Sequence, residues 1–121
     1  MNDKRLLVVD DDPAVGEIIG TVAEELGYEV MVTLNPAQFR DLYASFDPTA
    51  IIVDIVMPEI DGIELLRYLA GENCKALIIL TTGYSDSYLK YARELGKSSG
   101  LESIATLAKP FRLNELRAAL G

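Results

Sequence analysis

Leu6-Leu7-Val8-Val9-Asp10-Asp11-Asp12-Pro13 decides how the chain is read. Four consecutive aliphatic residues suit a strand that is covered on both faces. Three acids end that run, and Asp12 followed by Pro13 reads as an N-cap and a first helical residue. Behind them Val15, Ile18, Ile19, Val22 and Leu26 recur at helical spacing, and Gly27 supplies the stop. A buried strand running straight into an amphipathic helix is one βα unit.

The same unit returns along the rest of the chain. Tyr28 to Thr33 predicts a second strand, its apolar run broken by Glu29, and Asn35-Pro36 opens a helix with Phe39, Leu42, Tyr43 and Phe46 on its inner face. After a turn at Asp47-Pro48, Ala50-Ile51-Ile52-Val53 is a third strand ending at Asp54. Met57-Pro58 follows, and Asp61 is placed to cap a helix carrying Ile63, Leu66 and Leu69, with Gly71 and Asn73 at its end. Ala76 to Leu80 is a fourth strand, closed by Thr81-Thr82-Gly83. Ser85 or Asp86 starts a helix reaching Gly96 or a few residues beyond. Ser103 to Ala108 is a fifth strand, and Leu113, Leu116 and Leu120 line a short last helix. Nothing in 1–121 looks like a linker or a repeat of another kind, so the reading is a single domain.

Strands that alternate with helices form a parallel sheet covered on both faces. The first, third and fourth strands are nearly all aliphatic, as central strands should be. The second holds Glu29 and the fifth Ser103 and Thr106, which suits edges. Right-handed crossovers then favour an α/β, flavodoxin-like, doubly wound (βα)5 fold, with a parallel five-stranded sheet in the order 2-1-3-4-5. In such a sheet the site lies at the C-terminal ends of the strands, near the switch point between strands one and three.

Composition removes several function classes. Half of the 121 residues are hydrophobic and a quarter charged, and 19 acids against 11 bases give a net charge of −8. Direct nucleic-acid binding is not expected of so acidic a chain, because phosphate contacts need clustered Lys and Arg. No apolar run approaches the ~20 residues of a membrane span. Asp3-Lys4-Arg5 ahead of four apolar residues does not read as a secretory signal. The absence of histidine excludes His-based triads and histidine phosphotransfer from this chain. The single cysteine, Cys74, has no motif around it and reads as a loop or strand-entry residue; a free thiol and no export signal point to the cytoplasm.

The strand ends carry the chemistry. Asp10 and Asp11, then Asp54, Thr81 and finally Lys109-Pro110 close four different strands. Carboxylates brought within ~4 Å of each other repel by roughly 1–4 kcal/mol in wet surroundings. Lys109 supplies one positive charge, too little for three aspartates. A divalent cation would balance the rest, and an all-oxygen ligand set selects magnesium, calcium or manganese over zinc. Mg2+ fits best, because it takes few protein carboxylates and keeps several waters. A nucleotide cofactor is not expected: the first loop is acidic, and neither GxGxxG nor GxxxxGK[ST] occurs.

Val8-Val9-Asp10-Asp11-Asp12, then Asp54-Ile55-Val56-Met57-Pro58-Glu59-Ile60-Asp61-Gly62, Thr81 after an aliphatic strand, and Lys109-Pro110-Phe111 together closely resemble the receiver domain of two-component response regulators. The resemblance spans nearly the whole chain, in order and spacing. It implies that Asp54 is the nucleophile and phosphorylation site, taking a phosphoryl group from a sensor histidine kinase or a phosphotransfer protein. It implies that Asp10 and Asp11 hold Mg2+ together with Asp54 and the backbone carbonyl of Val56. Thr81 would donate its hydroxyl to the phosphoryl group, and Lys109 would pair with Asp54 and then with that group. The Lys109-Pro110 bond would be cis. An output domain or partner protein would read the change through the fourth helix, fifth strand and fifth helix. Slow self-dephosphorylation, rather than enzymatic turnover, is what such a domain shows.

Two features depart from the family's pattern. Thr106 stands three residues before Lys109, where an aromatic side chain is usual, and Tyr84 is a candidate substitute. The stretch from Thr81 to Lys109 is also longer than the norm, with the surplus near Gly96-Lys97-Ser98-Ser99-Gly100. That predicts a lengthened fourth helix or a longer loop after it. Tyr84, Tyr88, Tyr91 and Leu95 fall on one helical stripe, which reads as core packing. Two other functions stay open: an interaction module that is never phosphorylated, and a metal-dependent phosphohydrolase.

Overall fold

Five strands share one parallel sheet: β1 (Arg5–Val9), β2 (Glu29–Thr33), β3 (Ala50–Asp54), β4 (Leu77–Thr82) and β5 (Ile104–Ala108). Their order is β2-β1-β3-β4-β5, as expected. The computed structural model describes residues 3–57, 60–83 and 86–121. Helices α1 (Pro13–Glu25), α2 (Pro36–Phe46), α3 (Gly62–Gly71), α4 (Asp86–Ser98) and α5 (Leu113–Leu120) connect and follow the strands. None of the helices is long and apolar enough to cross a membrane.

Alternating side chains divide the interior into two cores. Leu7, Val9, Ile51, Val53, Ile78 and Leu80 point to one face, with Phe39 of α2, Leu66 of α3 and Leu89 of α4. Leu6, Val8, Ile52 and Ile79 point to the other, with Ile19 of α1 and Leu116 of α5. The three inner strands are therefore buried on both sides, which is why they read as unbroken aliphatic runs. The edge strand β2 is half open.

The helix ends obey local rules. Asp12 caps α1, accepting the Ala14 N–H at 3.0 Å, and Asn35 caps α2 by accepting the Gln38 N–H at 3.0 Å. Residues 96–98, part of the surplus stretch, lie inside α4 and lengthen that helix. It closes on Gly100 at φ 104, where the Leu101 N–H reaches the Gly96 carbonyl and the Gly100 N–H the Lys97 carbonyl.

Several expected details differ. Ile18 and Leu113 are exposed rather than core residues. In α1 the buried positions include Gly16 and Gly20 instead, because a Cβ at Gly16 would run into Val32 Cγ1 of β2. The helix lies too close to the strand for a side chain there. Tyr91 of the tyrosine stripe is exposed, with Tyr88 half-buried and stacked on it at 6.3 Å between ring centroids. The stripe is thus only partly core. Tyr84 and Ser85 lie outside the described residues, as does Pro58. A short antiparallel hairpin, Val56–Met57 against Ile60–Asp61, was not legible in the sequence. It brings Asp61 to the start of α3, though the cap expected of its side chain falls outside what is described. Cys74 lies in the loop between α3 and β4, as expected, and is buried.

Candidate functional site

Parallel strands bring all their C-terminal ends to one rim of the sheet, and β1, β3 and β4 meet there side by side. Asp10 follows β1, Asp54 ends β3, Thr81 lies in direct register with Asp54 on β4, and Lys109 follows β5. These are four of the residues singled out from the sequence, and the fold brings them together.

The three consecutive acids of the first loop have separate fates. Asp10 is buried. Its N–H donates to the Thr33 carbonyl at 3.2 Å, and its Oδ1 accepts the Asp12 N–H at 2.9 Å. Asp11 is exposed, yet one of its carboxylate oxygens lies within 4.8 Å of oxygens of both Asp10 and Asp54. Asp12 turns away to cap α1. Asp54 is buried as well, and its Oδ1 accepts the Val56 N–H at 3.0 Å.

Lys109 ties the two buried acids together. Its Nζ donates to Asp10 Oδ2 at 2.7 Å and to Asp54 Oδ2 at 3.0 Å. The backbone aims it there: the Lys109 N–H bonds the Thr82 carbonyl at 2.9 Å, and the Lys109-Pro110 peptide is cis, as the resemblance implied. Burial alone would lower the lysine's pKa, but hydrogen bonds and charge from Asp10 and Asp54 outweigh that and raise it. Lys109 is therefore a cation at neutral pH. Burial pushes the Asp54 carboxyl above its ordinary value, against the Val56 N–H and Lys109, which pull it down. Each carboxylate oxygen has two lone pairs, so the Asp54 oxygens keep acceptor capacity beyond these bonds.

Thr81 stands apart. Its side chain is fully buried, and its hydroxyl oxygen has no hydrogen-bond partner among the described residues. Its backbone is occupied, since the Thr81 carbonyl accepts the Ile55 N–H at 3.0 Å. A buried hydroxyl left unpaired costs about 1–3 kcal/mol, so such groups are rare in native proteins.

The donor set suits a hard divalent cation. Oxygens of Asp10, Asp11 and Asp54 gather within 4.8 Å with no sulfur or imidazole among them. That is the ligand chemistry of Mg2+, Ca2+ or Mn2+. One lysine faces three carboxylates, so the charge balance also leaves room for a cation. Beside Lys109 a groove of about 440 Å³ opens between α1 and the start of α5, lined by Val15, Ile18, Gly83, Lys109, Phe111 and Leu113 among others. Nothing in the residue pattern marks this groove. Ile18 and Leu113 sit on the helical period of their neighbours, and periodicity alone does not tell a groove wall from a core position.

The family model described as "Response regulator receiver domain" matches residues 6–121. The chain belongs to this family. Among its relatives, the response regulator MprA of Mycobacterium tuberculosis is 36% identical over 116 residues, which cover 96% of this chain and 48% of that protein. The receiver domain described here thus spans about half the length of the curated relatives it matches. A response regulator from Colwellia psychrerythraea superposes with a TM-score of 0.81 at 33% identity, covering 97% of this chain and 93% of the other. A Burkholderia pseudomallei response regulator, solved with a phosphorylated aspartic acid, calcium ion and citrate, gives a TM-score of 0.82 at 26% identity over 98% of this chain and 67% of the other. Receiver domains generally accept a phosphoryl group and are not enzymes in their own right.

Proposed function

We propose that this receiver domain is a signalling switch that takes a phosphoryl group on Asp54 from a sensor histidine kinase or a phosphotransfer protein. The observation that carries the reading is Lys109 Nζ bridging two buried carboxylates at 2.7 and 3.0 Å. A lysine so placed meets incoming negative charge at the one point where Asp54 would receive it.

A carboxylate is a modest nucleophile, but phosphoryl transfer asks mainly for position and charge. An Asp54 oxygen attacks phosphorus while the P–N bond to the donor's histidine breaks, and that bond's electron pair leaves with the ring nitrogen. The product is an aspartyl phosphate. Asp10, Asp11 and Asp54, with the Val56 carbonyl oxygen, would hold Mg2+, whose charge supplies the neutralisation that one lysine cannot. Lys109 then exchanges Asp54 Oδ2 for a phosphoryl oxygen. Thr81, whose hydroxyl has no partner to give up among the described residues, donates to another. Modification adds about −1.5 to −2 charges at one buried point, enough to reorganise its neighbours.

The partners follow from the surfaces. The apolar groove is walled in part by Lys109, whose Nζ bonds Asp54, and suits the donor protein. α4, β5 and α5, where Tyr91 is exposed, suit an output domain or partner. The cytoplasm, where such kinases present their phosphohistidine, is the proposed compartment. One observation favours the interaction-module alternative: Thr106 is exposed on β5 and too small to couple Thr81 to that face as an aromatic side chain would.

Intact-mass spectrometry after incubation with acetyl phosphate tests the proposal. One added phosphoryl group that needs Mg2+ and is lost in Asp54→Asn is the expected result. No addition, or equal addition to the variant, overturns it. Steady turnover of a small phosphomonoester would point to a phosphohydrolase instead.

A further inference from the structure

The two edges of the sheet are finished differently. At the β5 edge, Arg93 of α4 reaches the Ile104 carbonyl at 3.5 Å, so a cation sits over the outer backbone. Among the described residues no cation reaches over the outer backbone of the β2 edge in that way. The Glu29 N–H turns inward to the Lys4 carbonyl at 2.8 Å, and the Thr33 carbonyl turns inward to Asp10. In a parallel ladder the intervening residues face the other way, which aims the backbone groups of Val30 and Val32 at the open side.

The side chains along that edge are also unusual for one. Met31, Val32 and Leu34 are 38%, 42% and 48% exposed, so half of the large exposed hydrophobic residues described lie within four positions. Between Glu29 and Leu34 the chain has no Lys, Arg or Pro, the residues that normally blunt an open strand.

We infer that the β2 edge is a self-association surface, on which a second copy of this chain pairs its own β2 in antiparallel fashion. The run Val30-Met31-Val32 at the centre of β2 favours a second copy over a foreign strand, because it reads the same in both directions about Met31. With a two-fold axis at Met31, each Val30 pairs with Val32 of the second copy, and both are residues whose backbone groups face outward. Met31 meets its twin on the axis. Glu29 falls opposite Thr33, so no like charges oppose each other in the ladder. An isologous contact of this kind closes on itself and stops at two copies. Two chains of net charge −8 repel at long range, so added salt strengthens the pairing. This inference does not depend on the proposed phosphoryl chemistry.

Sedimentation equilibrium from micromolar to near-millimolar protein, at low and high salt, tests it. Wild type is expected to shift from 13.3 kDa toward twice that mass as concentration and salt rise. Met31→Lys, at an exposed position, is expected to stay monomeric with an unchanged circular dichroism spectrum. Amide exchange at Val30 and Val32 should slow in the wild-type dimer relative to the dilute monomer. A wild type that remains monomeric throughout, a dimer that survives Met31→Lys, or a dimer without slowed exchange at Val30 and Val32 overturns the inference.

Discussion

Asp54 and Thr81 are partners in register on neighbouring strands, equally buried, and in opposite conditions. Asp54 has one oxygen on the Val56 N–H and the other on Lys109. Thr81 has a hydroxyl with no partner among the described residues. The β1–β3 side of the pocket is thus held by charge and backbone bonds, whereas the β4 side is held by the backbone alone. Under the proposed function, rigidity suits Asp54, the group to be presented to a donor, and the unmade bond suits Thr81, the group to respond when a phosphoryl oxygen arrives.

The largest effect should come from removing the lysine on the fixed side. Lys109→Met leaves Asp10 and Asp54 buried without their cation, a loss of about 3–5 kcal/mol by the usual cost of breaking a buried pair. In magnesium-free buffer, urea unfolding should show that deficit at neutral pH. It should shrink as pH falls toward the ordinary carboxylate range near ~4, because protonation relieves the stranded charges. A smaller loss is expected from Gly62→Ala. A Cβ there would overlap the backbone of Ile55, next to Asp54, and overpacking of this kind costs about 1–3 kcal/mol. Thermal unfolding checks it.

Asp54→Asn should act in the opposite sense and stabilise the fold by roughly 1 kcal/mol at neutral pH, the scale of ordinary substitutions. Burial raises the Asp54 pKa in the folded chain above its unfolded value. The folded state therefore binds more protons over that interval, and the Asp54 penalty grows as pH rises through it. The gap between variant and wild type should open with rising pH and close below the ordinary aspartate value. Parallel denaturant titrations across that range read it directly. The smallest effect belongs to the loose side. Thr81→Val replaces an unpaired hydroxyl by a methyl and should gain up to about 1 kcal/mol. It should also leave phosphoryl loading intact while blunting the amide chemical-shift changes that loading produces around β4 and α4.

Most of the fixed side was legible in the sequence. Asp10 and Asp54 each close an aliphatic run and Lys109 follows the mixed fifth strand, and a parallel sheet sends all three strand ends to the same rim. Asp12 was readable as a cap because Pro13 comes next. The loose side was not. That Thr81 lacks a partner depends on what other segments fail to offer it, and a linear pattern carries no record of a missing neighbour. Ile18 and Leu113 misled for a related reason. Helical period marks a face, but whether that face meets a core or a groove depends on how closely the neighbouring helix approaches. Gly16 marks a different contact, the close approach of α1 to Val32 of β2, since helix interiors rarely spend glycine without one to make room for.

Borohydride reduction followed by peptide mass spectrometry tests the central assignment most directly, because it converts an aspartyl phosphate into homoserine at the position that carried it. After loading with acetyl phosphate and Mg2+, homoserine is predicted at position 54 and nowhere else. Homoserine at Asp10 or Asp11, or an unmodified peptide from a folded, magnesium-supplied sample, would contradict it.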